Sequence, residues 1–318
     1  MDWIRQPAQL LMIAFTVVSC GTIAAEEPHS HSPIVVYSRP VIERLPVKVA
    51  APVDVEISAF GDTIIADRIG KMVLCVDPTG ESHVLAKGFD QILRVVDAPV
   101  FGVHVLCGQA ESSIVFRCLD SGVSAEFAHL SFTAIGFGAD PVGNLFTANQ
   151  RTGEIFRIDS EGSVRRMARV SEPVKDLTCD SVGNAIVLLR SGKVVSVGTD
   201  GSSETVGYVP ETSARIRIHP DRFVLALGDA VGRGATIYKT TVQQDETEVH
   251  ARVPEGTIAF AFDALGNLTL SNSDLRAVTR ATSHFQVPCP HCGQLVPMTL
   301  TTDALPADAP GTRIRRSF

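Results

Sequence analysis

Short apolar runs alternate with polar, glycine-bearing turns along most of this chain. One stretch shows the pattern most clearly. Residues 134–139 predict a strand, followed by the turn Asp140-Pro-Val-Gly143-Asn144 and a second strand over 145–148. A turn at 150–153, a strand over 154–158, a turn at 159–162 and a strand over 164–168 complete the unit. Gly and Asn suit such turns because they adopt φ > 0 at little cost. The Asp-x-x-Gly-Asn turn recurs at Asp180-Ser-Val-Gly183-Asn184 and Asp263-Ala-Leu-Gly266-Asn267. A degenerate copy is expected at Asp221, inside His219-Pro-Asp-Arg-Phe223, which makes the spacings 40, 41 and 42. Gly61 and Gly102 precede Gly143 by 82 and 41 residues. Six units then begin near residues 52, 93, 134, 174, 215 and 257. The turn after the third strand repeats as well, at Asp77-Pro-Thr-Gly80, Asp120-Ser-Gly122, Asp159-Ser-Glu-Gly162 and Thr199-Asp200-Gly201. Four strands in about 41 residues make a propeller blade. The predicted fold is all-β, a six-bladed β-propeller over residues 47–288.

The order of apolar strand, Asp-x-x-Gly-Asn, apolar strand, x-Gly-x-Ile and Asp-x-x-Gly resembles the NHL-repeat propellers. It also resembles the wider superfamily of senescence-marker and gluconolactonase proteins. That resemblance implies a central channel and, for the lactonases, one divalent metal near the axis held by Glu, Asn and Asp from several blades. Their Glu-Gly-Pro-x-Trp, Ser-Asn-Gly and Pro-Asp-Gly motifs do not occur here. Asp54, Asp97 and Asp176 are the substitutes the resemblance offers as metal ligands, with His219 as base.

Side chains alternate along a strand, so one phase of each innermost strand faces the axis. One phase is apolar: Val53, Val55 and Ile57, then Ile135 and Phe137, and onward to Phe260 and Phe262. Arg94 and Lys175 are its polar exceptions. The other phase brings Asp54, Glu56, Asp97, Asp176, Arg215, Arg217 and His219 toward the channel. Gly136, Gly138, Ala259 and Ala261 leave room beside them. Converging carboxylates suit a cation such as Ca²⁺. The arginines suit an anionic ligand, or simply neutralise the acids. The aspartates of the turn motifs are expected to bond their own turns.

The leading residues change the expected compartment. Residues 10–18, LLMIAFTVV, are too short to span a bilayer and fit the apolar core of a signal peptide within residues 1–25. Cleavage after Ala24 competes with lipid attachment at Cys20, which closes a lipobox-like Val17-Val18-Ser19-Cys20. Both readings export the protein to the periplasm, the exterior or a lipid anchor. Residues 26–46 carry Pro28, Pro33, Pro40 and Pro46 and read as a linker containing His29 and His31. The net charge of −7 and pI near 5.7 give no footprint for nucleic acid.

Seven cysteines occur. Cys75, Cys107, Cys118 and Cys179 fall in apolar strands and are expected as buried free thiols. Cys75 and Cys118 are placed at equivalent positions of neighbouring blades. Cys289-Pro-His291-Cys292 lies past the last blade, where a local disulfide, a zinc site or a redox pair are the competing readings. Residues 289–318 read as a disordered tail ending in Arg313, Arg315 and Arg316. Gly228–Gly234 lacks a following helix and reads as a hairpin loop rather than a phosphate cradle. No nucleophile elbow or His-Glu-x-x-His motif is present. The leading function is a non-catalytic binding or scaffold propeller that docks a ligand or protein at the channel mouth. A metal-dependent lactonase-type hydrolase and a Cys289/Cys292 zinc or redox module are the alternatives.

Overall fold

The computed structural model describes residues 41–99, 101–119, 122–230, 234–282, 284–288 and 295–299. They form six four-stranded antiparallel blades, each built outward from an inner strand. The inner strands are Pro52–Ile57, Ile92–Ala98, Ala134–Ala139, Val174–Cys179, Ser213–Ile218 and Thr257–Phe262. Each blade face packs on a neighbour, so strands such as Ala185–Leu189 are buried at every position. The six apolar clusters each fill one interface between neighbouring blades. Fully buried Phe89, Phe146 and Phe260 anchor three of them, each stabilising its interface by about 1.5–3 kcal/mol of apolar burial.

The ring closes on a segment expected to be linker. Val41–Arg44 pairs antiparallel with Ala277–Thr282 and supplies the outermost strand of the sixth blade. Pro40 and Pro46 flank it, and an edge strand tolerates proline because it lacks one ladder neighbour. The propeller ends at Thr282. His284–Pro288 pairs with Leu295–Thr299 in a separate hairpin, so part of the expected disordered tail is a strand. Phe285 and Val287 alternate with polar residues in the first segment, and the second is apolar over Leu295–Met298. Cys20, His29, His31, Cys289, His291, Cys292 and the three tail arginines lie outside the described residues.

Hydrogen-bond register fixes which residues are equivalent, and it corrects the sequence alignment at two blades. The inner-strand turn is closed by Gly61 N–H to Ser58 O, Gly143 N–H to Asp140 O and Gly183 N–H to Asp180 O. In the second blade Phe101 N–H closes it, onto Ala98 O. Gly102 therefore stands one place beyond the position of Gly61, and the whole second inner strand slips by one. A one-residue slip exchanges the two faces of a strand. Cys75 and Cys118 are for the same reason not equivalent: Val76 pairs with Thr63, the partner position that Val103 fills opposite Cys118. In the fifth blade Arg222 N–H closes the turn on His219 O. His219, not Asp221, is thus the counterpart of Asp140, Asp180 and Asp263. Arg222 takes the left-handed turn position that glycine fills elsewhere, at φ 68°.

The turn aspartates bond their own turns. Asp140 Oδ1 accepts from Asn144 N–H at 2.8 Å and Oδ2 from Asn144 Nδ2 at 2.6 Å, and Asp180 and Asp263 repeat the pattern. Cys75, Cys107, Cys118 and Cys179 are free thiols, two buried and two half-buried. Burial pushes Cys75 up to about 11, Cys107 and Cys118 up to about 12, and Cys179 higher still. Such thiols are poor nucleophiles at neutral pH.

Candidate ligand site at the channel mouth

A bulge after the first residues of every inner strand sets which side chains reach the axis. The upper ring consists of Asp54, Arg94, Gly136, Asp176, Arg215 and Ala259. The ring below it holds Glu56, Val96, Gly138, Thr178, Arg217 and Ala261. Asp54, Glu56, Asp176, Arg215 and Arg217 therefore converge as the alternation suggests. Arg94, assigned to the apolar phase from sequence, replaces Asp97 because of the register slip.

Two ion pairs cross the channel. Arg94 Nη2 meets Asp176 Oδ1 at 3.1 Å, and Arg217 Nη2 meets Asp54 Oδ1 at 3.1 Å. Both carboxylates are wholly buried. Their second oxygens accept backbone N–H groups of the following blade: Val95 N–H on Asp54 at 3.0 Å and Ile216 N–H on Asp176 at 2.9 Å. Each aspartate thus staples one blade interface while neutralising an arginine from elsewhere in the ring. Burial pushes the Asp176 carboxyl up, against the pull of Arg94 and Arg217. For Arg217, burial works against its charge, but Asp54, Glu56 and Asp176 outweigh it and raise its pKa. Two buried charge pairs close the channel at this level.

The small residues do not open space as expected. A Cβ on Gly136 would lie 2.3 Å from Leu177 N, and one on Gly138 2.7 Å from Cys179 N. These glycines let the third and fourth inner strands approach closely. Ala259 and Ala261 are buried in the cluster between the sixth and first blades.

Glu56 sits below Asp54, with Oε2 at 3.9 Å from Arg217 Nε. Burial pushes its carboxyl up to about 7, and Asp54 and Asp97 add to the rise against Arg217. The folded protein therefore binds this proton more tightly than the unfolded chain. Stability falls as pH rises from the unfolded value near 4.5 to about 7, by at most about 3 kcal/mol. Glu56→Gln is expected to raise Tm at pH 8 and to leave it unchanged at pH 4. Thermal melts at the two pH values check this; an equal change at both would contradict it.

Asp97 and His219 lie away from the axis. Asp97 accepts Ala59 N–H at 3.3 Å at the lower end, between the first two blades, and burial raises its pKa. His219 performs the task of a turn aspartate: its Nδ1 accepts Asp221 N–H at 3.2 Å, as Asp140 Oδ1 accepts Val142 N–H at 3.1 Å. Its ring stacks on Phe223 with centroids 4.3 Å apart. The proposed metal set of Asp54, Asp97 and Asp176 with His219 as base is therefore not assembled. The oxygens of Asp54 and Asp176 are also committed to arginines and amides. Among the described residues no three His, Cys, Asp or Glu side chains group closely enough to hold a metal ion. The residues present do not fit the lactonase metal.

The usable space lies above the upper ring. A cavity of about 510 Å³ opens at the end where the inner strands begin. Arg94 forms its floor, and Lys175, Arg215, Thr257, Ile135 and Ile258 stand around it. Arg215 donates through Nε to Ile258 O at 3.1 Å, and Lys175 Nζ donates to Glu211 O. Neither forms an ion pair with a carboxylate among the described residues. Burial lowers the Lys175 pKa from its ordinary value, against Glu211. Arg94 Nε is buried with no hydrogen-bond partner. Lys175 was the second exception in the sequence reading; it occupies the bulged residue, which points to the mouth instead of into a blade interface.

The chain is a six-bladed β-propeller, and solved structures of that architecture match it over most of its length. No protein-family model matches, and no curated protein matches in sequence. A streptogramin B lyase is 10% identical, with 77% of this chain and 98% of that one covered and a TM-score of 0.55. A putative gluconolactonase is 11% identical, with 76% and 92% covered and a TM-score of 0.57. An auxiliary nutrient binding protein from Bacteroides thetaiotaomicron is 9% identical, with 73% and 69% covered and a TM-score of 0.55. At these identities the likeness is one of fold, shared by enzymes and a binding protein alike.

Proposed function

We propose that this is an exported, non-catalytic binding propeller whose mouth cavity takes a small carboxylate with an apolar body. One contrast carries the reading. Asp54 and Asp176 are paired with arginines inside the channel, whereas Lys175 and Arg215 at the mouth form no ion pair with a carboxylate among the described residues, although Glu211 acts on Lys175 and Asp229 also lines the cavity. Unpaired cations beside apolar walls favour an anion that brings both a charge and a hydrophobic surface. The nutrient-binding neighbour is a protein of this architecture used for binding. Export rests on the apolar stretch at residues 10–18.

Sodium succinate is a suitable probe, with succinamide as its uncharged control. Succinate is expected to raise Tm, and succinamide to leave it unchanged. Arg215→Gln should weaken the apparent affinity about 10-fold, near 1.4 kcal/mol, and Lys175→Gln/Arg215→Gln should abolish the response. A response unchanged in the double variant, or equal with succinamide, would contradict the proposal.

A further inference from the structure

The end of the channel opposite the mouth carries a repeated feature that the ligand site does not use. The residue before the closing position of the inner-strand turn is apolar and exposed in four blades. Phe60 is 88% exposed, Val182 76%, Val142 70% and Leu265 65%. Val100 holds the same repeat position in sequence and lies outside the described residues. The fifth blade has Asp221 there, with its side chain exposed. Apolar tips at one position of successive blades make a crown around the lower channel rim, broken by one acid.

Around the crown the surface is acidic. Nine turns at this end have every residue described, and they carry twelve carboxylates, of which Asp140 is buried in its own turn, and one arginine, Arg222. Asp77, Glu81, Glu161 and Asp200 are among them. The face therefore fits a segment that is both apolar and basic, and the acids disfavour an anionic lipid surface.

The chain itself holds such a segment, and it leaves from this face. The strand ending at Thr282 pairs Ala281 with Leu268, next to the lower turn 263–267, so Thr282 is at the lower end. Beyond the hairpin, residues 300–318 lie outside the described residues and end Thr312-Arg-Ile-Arg-Arg-Ser-Phe318. Nineteen residues reach up to about 60 Å when extended, ample to return across the rim. Arg313, Arg315 and Arg316 are interspersed with Ile314 and followed by Phe318, which gives the segment charge to offer the acids and apolar side chains to offer the crown.

We infer that residues 312–318 of this chain dock on the crown of Phe60, Val142, Val182 and Leu265. The contact hides an apolar surface that would otherwise face water.

A photo-crosslinking amino acid at Val182 tests this in the full chain, because that side chain is exposed and its replacement leaves the core intact. Mass spectrometry should find cross-links to residues 312–318 within the monomer. Arg313→Glu/Arg315→Glu/Arg316→Glu should lose them, and high salt should reduce them several-fold. A photo-crosslinker at exposed Ile69, at the other end of the first blade, should give none in either protein. Cross-links joining two copies, cross-links only to lipid when vesicles of phosphatidylcholine are added, or no tail cross-link at Val182 would each overturn the inference.

Discussion

Gly136→Ala is expected to cost about 4 kcal/mol and to leave the protein largely unfolded near 37 °C. The position combines φ +69° with a Cβ site 2.3 Å from Leu177 N and 2.6 Å from Leu177 Cβ. Neither neighbour is a flexible side-chain end, so the third and fourth inner strands must separate. Separation would open the apolar cluster shared by these blades, including Leu177 and Phe146. Gly88 supplies the control, at φ +93° with nothing within 4 Å of its Cβ site. Gly88→Ala should cost only the backbone penalty of about 1 kcal/mol. Urea denaturation of both variants separates steric clash from backbone strain. Equal losses in the two would refute the close-approach account.

Arg217→Met should produce the second large effect, a loss of about 3–5 kcal/mol. It leaves Asp54, wholly buried, without its counter-charge and takes away the cation nearest Glu56. Asp54→Asn/Arg217→Met should recover part of that loss, because the pair is removed together while Val95 N–H keeps an acceptor. A coupling energy of about 1–3 kcal/mol is expected from the double-mutant cycle in urea. Strictly additive losses would show that the two side chains do not act as a pair. The same substitution is also expected to push the Glu56 pKa higher, since Arg217 lowers it more than the Ile57 N–H does.

The blades were legible because a repeated turn leaves a mark in sequence. Asp140, Asp180 and Asp263 each bond an asparagine four residues on, and that shared chemistry repeats the same residues in three of the six blades. Errors arose where another residue does the same physical work. Gly102 is displaced by one place from the turn-closing position, so spacing alone places Asp97 in the channel and Arg94 outside it, the reverse of the register. His219 replaces a carboxylate with an imidazole nitrogen accepting the same kind of amide bond, so it looked like a free base rather than a turn cap. The closing strand Val41–Arg44 was hidden between prolines and far in sequence from Ala277–Thr282, its partner. Lys175 shows a different limit. A bulge cannot be read from a period of two, and it is the bulge that turns this lysine toward the mouth. Of the candidate channel residues, Asp54, Glu56, Asp176, Arg215 and Arg217 were legible from alternation alone.

The proposed function divides the labour: the channel carboxylates hold the ring together, and the mouth cations are the groups proposed to bind. Equilibrium dialysis of the protein against Ca²⁺ and Mn²⁺, beside Asp54→Asn and Asp176→Asn variants, tests that division most directly. The prediction is no saturable cation binding that depends on either aspartate, together with lowered urea midpoints in both variants. Stoichiometric binding of a divalent cation in the parent, lost on replacing Asp54 or Asp176, would contradict it and make the channel a metal site.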